Sequence, residues 1–342
     1  MTTLKVLFKT VQGLEEPTSQ EILEKLSAIN LIFSPYGPQG WIKCEIEDRI
    51  FRDVGRLRSI IEAYVILREE DYDEGFSIDN FADAVVTEIP VYAPNARKIS
   101  VSAYSSHRKP SQKEIQGTFA RRIAKELNAE CNLRNYDTAL RITLLRRIAL
   151  ATINLEIQPG NMPKKLETHP TPVLPPIAYC MVRLASPQKG EHLLDPMCGC
   201  GTIPCMAALE WENLRVTGSD ISSEYISCAK RNAETLGVAD RVKFMVSDVA
   251  ELAEKGVEAD IISVNPPYGI AIPTQNETEK LYDSIFNTAD KILPKQGRII
   301  IITPYPQQVG EAANKKKFQS INTYKIHEGE LPRTIQIMKK LQ

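Results

Sequence analysis

The chain has 342 residues and carries 42 Lys and Arg against 43 Asp and Glu, which gives a formal net charge of −1. This length predicts two or three domains, and the balanced charge excludes a protein that is basic over its whole surface. Apolar runs are too short to span a membrane and Met1 to Lys9 lacks a signal-peptide pattern, so we expect no membrane partner.

The N-terminal sixty residues read as strand, helix, strand and helix. Leu4 to Val11 alternates like a strand, Gly13 to Leu26 has a helical pattern, and Ile42 to Ile46 alternates again. Asp48 to Leu67 is predicted to form a helix that can run into a strand. The start of the chain is therefore expected to be an α+β unit.

Positive charge is concentrated in one segment. Residues 97–147 hold 12 Lys and Arg against 4 Asp and Glu, whereas residues 1–96 hold 9 against 17. Such a patch is typical of a surface that binds a phosphate backbone, and a solvated face that balances the acidic block explains it equally well. The candidate RNA-binding residues in this segment are Arg108, Lys109, Lys113, Arg121, Arg122, Lys125, Arg146 and Arg147.

The same segment has clear element boundaries. Ile99 to Tyr104 is predicted as a strand, and Ser111 as the N-cap of a helix over Gln112 to Leu127 whose apolar residues recur at i+4 spacing. Arg141 to Leu145 and Ile148 to Leu155 are predicted to form a closing hairpin. A proline-rich stretch then follows over residues 158–176, which indicates a semi-rigid linker.

From residue 177 onwards strands alternate with helices. Leu193-Leu194 leads into the turn Asp195-Pro196-Met197-Cys198-Gly199-Cys200-Gly201-Thr202, and a helical run follows. The glycines let the backbone pass close to a ligand, and the helix N-terminus offers free N–H groups. The turn lacks the third glycine of a dinucleotide fingerprint and the G-K-[ST] of a Walker loop, so an NAD-dependent oxidoreductase is disfavoured.

The next strands also end in polar residues. Asp220, with Ile221 after it, closes one strand, and Asp248, with Val249 after it, closes the next. Carboxyl ends of parallel strands bind ligands in α/β sheets, so Asp220 is expected to accept ribose hydroxyls and Asp248 an adenine amine. Each acid alone is more often a helix N-cap or loop residue, but three acids at successive strand ends favour a ligand site.

Asn265-Pro266-Pro267-Tyr268 follows the apolar strand Ile261 to Val264. Two prolines cannot continue a central strand, so the strand ends in a stiff loop. The Asn265 side-chain oxygen and the Pro266 carbonyl can accept hydrogen bonds from an –NH2 group, and the Tyr268 ring can stack on a heterocycle. The segment indicates catalysis at a planar amine, although a plain proline turn remains an alternative.

The seven cysteines do not have paired C-x-x-C spacing. This pattern favours reduced thiols and a cytoplasmic location. Cys198, Cys200 and Cys205 lie close together in sequence, but the glycine turn accounts for two of them and no His or Cys cluster completes a site. We therefore predict no metal.

The D-P-M-C-G-x-G-T turn followed by N-P-P-Y-G resembles the THUMP-domain class I S-adenosylmethionine-dependent RNA guanine-N2 methyltransferases, especially the tRNA (guanine-6-N2) enzymes. The resemblance extends over the whole chain, although only its C-terminal motifs are specific. It implies a ferredoxin-like domain over 1–59, a THUMP RNA-binding domain over 60–157, a linker over 158–176 and a Rossmann-like, seven-stranded α/β methyltransferase domain over 177–342. The chain departs from the family pattern at two places. Ile270 to Ile272 stand where an arginine is common, and Cys200 stands where Ser or Thr is common.

The resemblance also implies an activity: a monomer transfers a methyl group from S-adenosylmethionine to a guanine N2 amine of tRNA. The catalytic residues are then Asn265, Pro266, Pro267 and Tyr268, and the cofactor is bound by Asp195, Pro196, Cys198, Gly199, Cys200, Gly201, Thr202, Asp220, Ile221, Asp248, Val249 and Asn265. Alternatives are methylation of tRNA guanine 10, ribosomal guanine, adenine N6 or cytosine N4. A non-catalytic RNA-binding protein is the alternative from another class.

Overall fold

The computed structural model describes residues 3–155, 166–167, 172–267, 275–328 and 331–341. The chain divides into two compact units, one of residues 1–10 and 21–161 and the other of residues 11–20 and 162–342. Predictions that involve Tyr268, the segment 270–272 and most of the linker lie outside the described residues.

The first unit is built on one mixed sheet with the order β2-β3-β1-β4-β8-β7-β5-β6 among the described residues. Its strands are β1 (Thr3–Thr10), β2 (Ile29–Phe33), β3 (Trp41–Glu47), β4 (Ile60–Asp71), β5 (Lys98–Ser105), β6 (Glu130–Cys131), β7 (Thr138–Leu144) and β8 (Ile148–Asn154). Its helices are α2 (Ile78–Tyr92), α3 (Gln112–Leu127) and a 3-10 helix (Asp48–Arg56), and α1 (Glu15–Leu26) begins in the second unit and ends in the first.

Helix α3 begins and packs as its sequence predicts. Ser111 accepts a hydrogen bond from the Glu114 N–H, and the Glu114 side chain accepts one from the Ser111 N–H, which completes a capping box. Ile115, Phe119 and Ile123 are fully buried, and Phe119 meets Phe81 of α2 edge to face at 6.4 Å between ring centroids. The predicted hairpin is also confirmed, since β7 and β8 pair antiparallel.

The prediction of a helix that can run into a strand over Asp48 to Leu67 is confirmed in outline, although the helical part is short. A 3-10 helix ends at Arg56, and Ile60 starts the long strand β4. β4 pairs antiparallel with both β1 and β8, and it carries buried apolar residues on both faces: Val65 and Leu67 belong to one core cluster, Tyr64 and Ile66 to another. A strand that is buried on two faces loses the alternation that would have identified it.

This sheet contains strands from both segments that the sequence assigns to separate N-terminal domains. β4, which begins at the predicted boundary of residue 60, hydrogen-bonds to β1 on one side and β8 on the other. The assignment of residues 1–59 to a ferredoxin-like domain and of 60–157 to a THUMP domain stays a prediction.

The second unit has an α/β fold built on one sheet. Its described strands follow the order β11-β10-β9-β12-β13-β15-β14, with β9 to β13 parallel and β15 inserted antiparallel between β13 and β14. The strands are β9 (His192–Asp195), β10 (Arg215–Asp220), β11 (Val242–Val246), β12 (Ile261–Val264), β13 (Arg298–Thr303), β14 (Phe318–Glu328) and β15 (Leu331–Lys340). The helices are α4 (Pro175–Leu184), α5 (Thr202–Glu210), α6 (Ser223–Thr235), α7 (Gln275–Ile292), α8 (Pro306–Lys315) and a 3-10 helix (Val249–Glu251).

The early glycine of the chain belongs to this second unit. Gly13 has φ +93°, and a Cβ atom there would lie 2.0 Å from the Lys325 carbonyl oxygen of β14. The neighbouring Gln12 carbonyl accepts a hydrogen bond from the His327 N–H at 3.1 Å. A side chain at position 13 is therefore excluded by backbone conformation and by backbone contact together.

We expect Gly13→Ala to lower the free energy of unfolding by about 2 kcal/mol or more, because it combines strained φ with a backbone clash. Denaturant titration measures this change. Gly190→Ala is the matched control, since Gly190 has φ +86° but a Cβ atom added there would meet nothing within 4 Å. Equal losses in both variants would show that φ alone matters and that the contact with β14 does not.

Candidate active site

The carboxyl ends of four neighbouring parallel strands form one edge of the second sheet. β9 ends at Asp195, β10 at Asp220, β11 just before Asp248, and β12 just before Asn265. In the strand registers Asp195 pairs with Gly218, and Asp220 pairs with Val246. The four polar residues that the sequence places at successive strand ends therefore lie along the same edge.

The glycine turn after β9 folds against the end of β10. Gly199 and Gly201 have φ of +51° and +82°, and the Cys198 N–H donates to the Ser219 carbonyl at 2.8 Å. A Cβ atom on Gly201 would lie 2.9 Å from that of Ala229 on α6. The two glycines thus allow the turn to lie close to the neighbouring strand and helix.

Asp220 organises this turn. One of its carboxylate oxygens accepts from the Gly199 N–H at 2.9 Å, and the other accepts from the Ser222 N–H at 3.0 Å. A carboxylate oxygen has two lone pairs, so both oxygens keep acceptor capacity for a ligand. Asp248 is similarly anchored, because it caps the following 3-10 helix through the Ala250 N–H at 2.9 Å.

Asp195 is almost completely buried, with 2% of its surface exposed, and it accepts a hydrogen bond from the Met197 N–H at 3.1 Å. Burial raises the pKa of its carboxyl well above the usual range, and the nearby Asp220 charge raises it further, against the smaller lowering effect of the Met197 N–H. A positive charge beside this carboxyl would favour its ionised form.

A cavity of about 590 Å³ opens at this edge. It brings together eight of the predicted cofactor and catalytic residues, namely Pro196, Gly199, Asp220, Ile221, Asp248, Val249, Asn265 and Pro267. Asp195, Cys198, Cys200, Gly201, Thr202 and Pro266 are absent from its described lining, and Tyr268 lies outside the described residues. The roles of these seven residues stay predictions.

The sequence reasoning missed the other wall of the cavity. Ser222, Tyr225 and Ser247 line it, and α7 contributes Glu277, Lys280, Leu281 and Ser284. The α7 residues follow one helical face at spacings of three and four, which is a signal that the sequence contains. The spacing does not, however, say which face of α7 meets the ends of β11 and β12.

The prediction of reduced thiols is wrong for one pair. Cys200 of the glycine turn and Cys228 of α6 form a disulfide with their Cα atoms 5.0 Å apart, whereas Cys44, Cys131, Cys180, Cys198 and Cys205 are not disulfide-bonded. The two residues are 28 positions apart in the chain, and only the packing of α6 against the turn brings them together. Asn232 of α6 also donates to the Cys200 carbonyl at 2.9 Å.

In the described part of the chain, no group of three or more His, Cys, Asp or Glu side chains is arranged to hold a metal ion. Within those same residues, none of the helices combines the length and apolar character that a membrane crossing needs.

In the first unit, the predicted RNA-binding residues fall into two groups. The first group lies on two neighbouring loops. Arg108 and Lys109 belong to the loop after β5, and Arg146 and Arg147 to the β7–β8 turn. The two loops are in contact, because the His107 ring lies 2.8 Å from the Leu145 carbonyl oxygen. All four basic side chains are exposed. His107 stacks on Tyr72 with ring centroids 4.3 Å apart, so this end of the unit combines cations with aromatic rings.

The second group lies on α3 and is partly neutralised. Arg122 forms ion pairs with Asp79, at 3.2 Å, and Asp83 of α2, and Lys125 pairs with Glu126 at 3.2 Å. Arg121 donates to the Thr118 hydroxyl at 3.2 Å, and Lys113 is exposed near the start of the helix. The basic face of α3 therefore fits in part the alternative interpretation of the charge pattern, a solvated surface whose charges are balanced by nearby acids.

Comparison with known proteins identifies the second unit. Residues 164–333 match UPF0020, described as an RMKL-like methyltransferase domain. The tRNA (guanine(6)-N2)-methyltransferase of Methanocaldococcus jannaschii is 27% identical over 60% of this chain and 65% of that protein. The tRNA (guanine(10)-N2)-dimethyltransferase of Methanothermobacter thermautotrophicus is 29% identical over 59% of each. The chain matches only 48% to 65% of the length of these two enzymes and of a further tRNA (guanine(6)-N2)-methyltransferase from Archaeoglobus fulgidus.

Solved structures support the fold. TrmN from Thermus thermophilus superposes with a TM-score of 0.85 at 18% identity, over 99% of this chain and all of that one. SMU.472 in complex with SAH superposes with a TM-score of 0.77 at 16% identity, over all of this chain and 99% of that one. At these identities the likeness concerns the fold alone.

Proposed function

The chain carries a methyltransferase domain of the UPF0020 family, and we propose that it transfers a methyl group from S-adenosylmethionine to the N2 amine of a guanine in tRNA, at position 6 of the acceptor stem. One observation carries this proposal. Asn265, whose side-chain oxygen suits a planar amine, lines the same cavity as Asp220 and Asp248, which suit a nucleoside. A donor site and an acceptor site therefore share one cavity.

The cavity suits S-adenosylmethionine in size and chemistry. A volume of about 590 Å³ is within the range of small-molecule sites, and the lining combines carboxylates with the apolar side chains of Ile221, Val249 and Leu281. Asp220 keeps acceptor capacity for ribose hydroxyls and Asp248 for an adenine amine. Gly199 lines the cavity, so its turn would meet the amino-acid end. When bound, this cofactor supplies an electrophilic methyl group.

The chain itself contributes positioning of the acceptor. A guanine N2 amine is conjugated to its ring and is a weak nucleophile, so its orientation matters more than a strong base. The Asn265 oxygen and the Pro266 carbonyl would accept its two N–H groups and turn its lone pair toward the methyl donor. Tyr268 would stack on a base that has left the helix, and the surplus proton leaves after transfer.

RNA recognition by the first unit rests on the cluster around Tyr72 and His107. Arg108, Lys109, Arg146 and Arg147 surround two stacked rings at one end of the sheet, a combination that suits phosphates and unstacked bases. The THUMP assignment of residues 60–157 and the monomeric, cytoplasmic enzyme that the family implies are part of the same proposal.

The test is incubation of the purified chain with labelled S-adenosylmethionine and unmodified tRNA transcripts, followed by nuclease digestion and nucleoside mass analysis. We expect N2-methylguanosine that maps to position 6. N2-methylguanosine at position 10 would show that the enzyme methylates guanine 10 and not guanine 6. Methyladenosine or methylcytidine would overturn the assignment of guanine as the target base. Cofactor binding without transfer to tRNA, with transfer to ribosomal RNA instead, would overturn the substrate. A chain that binds RNA but not the cofactor would be a non-catalytic binding protein.

The double variant Arg146→Gln/Arg147→Gln should raise KM for tRNA roughly 3- to 10-fold with kcat and cofactor affinity unchanged, because it removes phosphate contacts. Steady-state kinetics at two salt concentrations measure this. Arg49→Gln/Arg52→Gln is the matched control, since both arginines are exposed in the acidic part of the same unit. An equal rise of KM in the control would mean that overall charge, and not this cluster, attracts the RNA.

A further inference from the structure

The outer face of α7 leads away from the cavity into a second depression of about 470 Å³. Lys280 and Ser284 line both the cavity and this depression, so the two adjoin each other along α7. Asn287 and Lys291 continue the face at the helical spacings of i+7 and i+11 from Lys280. Lys316, just after α8, completes the wall.

The charges of this depression are not balanced locally. Its two acids are each paired with a lysine from outside it: Asp283 with Lys315 at 2.9 Å, and Asp290 with Lys340 at 3.4 Å. The three lysines that line the depression are Lys280, Lys291 and Lys316, and none of them forms an ion pair with another described residue. Lys280 and Lys291 are also exposed. With both acids neutralised, Lys280, Lys291 and Lys316 give the surface a positive charge.

The geometry points to a second RNA-binding surface, the α7 lysine strip, formed by Lys280, Lys291 and Lys316. From Lys280 at the cavity rim to Lys291 the helix runs about 16 Å, which suits an extended anionic chain better than one small anion. The inference rests on the proposed function: with the target base in the cavity, the strip would bind the phosphates of neighbouring nucleotides. It differs from the basic cluster of the first unit because it borders the reaction site.

Ligand chemistry favours RNA backbone over a specific base at this surface. Lysine ammonium groups act as point charges toward phosphates, and the other lining groups are short polar side chains without an aromatic platform. The strip is therefore expected to set affinity and register of the RNA without reading its sequence.

The experiment compares Lys291→Gln/Lys316→Gln with the wild type, because these two lysines lie outside the cofactor cavity. We expect Kd for tRNA to rise roughly 3- to 10-fold, and the slope of log Kd against log salt to fall by about 1.4 to 1.8. Cofactor affinity and the melting temperature should not change. Adding Lys280→Gln should weaken tRNA binding further.

Lys189→Gln/Lys230→Gln is the matched control, since both lysines are exposed on the same unit and outside the cavity and the depression. If control and test variants lose tRNA affinity and salt slope equally, the strip is not a binding surface. If the wild type methylates tRNA and the test variant binds it normally, the strip is refuted while the proposed function stands. If the wild type binds the cofactor but neither binds nor methylates RNA, both proposals fail.

Discussion

Asn265→Ala should reduce methyl transfer by at least about 100- to 1000-fold while the affinity for S-adenosylmethionine changes only a few-fold. The residue lies just beyond β12 and lines the cavity, and the proposed function assigns it to hold the acceptor amine. Loss of a group that positions the reacting atom has costs of this order, because orientation is lost at the transition state. Single-turnover transfer and calorimetric titration of the cofactor separate the two quantities.

Two further variants sharpen this prediction. Asn265→Asp keeps an acceptor oxygen at the same place, so it should retain more activity than the alanine variant. Asn213→Ala removes an exposed asparagine that is absent from the cavity lining and should behave as the wild type. Near-normal turnover of Asn265→Ala would defeat the proposed positioning role, and a large loss of cofactor affinity in that variant would reassign Asn265 to cofactor binding.

The sequence was most predictive where local pattern and chain geometry coincide. The strand Ile261–Val264 is a short apolar run followed by Asn265 and two prolines, and the strand Arg215–Asp220 ends in an acid. Parallel pairing of both strands with β9 then brings their ends to one edge of the sheet. The α3 boundaries followed from a capping box and an i+4 stripe, which are local as well. Such features depend on few long-range contacts.

The predictions that failed or were missing depend on packing. β4 was partly read as helix because burial on both faces removed its alternation. The Cys200–Cys228 pair required the position of α6 against the glycine turn. The wall that α7 adds to the cavity required knowledge of which face of that helix turns inward. The charge pattern likewise could not distinguish Arg146, which is exposed, from Arg122, whose charge is neutralised by two carboxylates of α2.

The affinity for S-adenosylmethionine should depend on pH through Asp195. Burial raises the pKa of this carboxyl well above 3.8, and the charge of Asp220 adds to the effect. Because the pKa of Asp195 is higher in the folded than in the unfolded chain, this group contributes its full stabilisation of the fold at pH values below the unfolded-state pKa. That stabilisation is lost as the pH rises through the folded-state pKa. A ligand ammonium at the turn favours the ionised form, so cofactor binding should release a proton below the folded pKa.

Binding should therefore tighten by up to about tenfold per pH unit below that pKa and level off above it. The window lies above the usual carboxyl pKa and below the raised pKa of Asp195, within the range where the cofactor amine remains protonated. Calorimetry in buffers with different ionisation enthalpies measures both the affinity and the released proton. Methylthioadenosine, which lacks the ammonium group, is the control ligand and should bind without this pH dependence.

Asp195→Asn tests the assignment directly. The amide is similar in size and cannot ionise, so we expect cofactor affinity to fall about 10- to 100-fold at neutral pH and its pH dependence below pH 7 to disappear. Stability at neutral pH should be kept or raised, because the variant removes a buried ionisable group. If the variant binds the cofactor as tightly as the wild type and keeps the same pH profile, Asp195 has no electrostatic role in cofactor binding and serves only to hold the glycine turn.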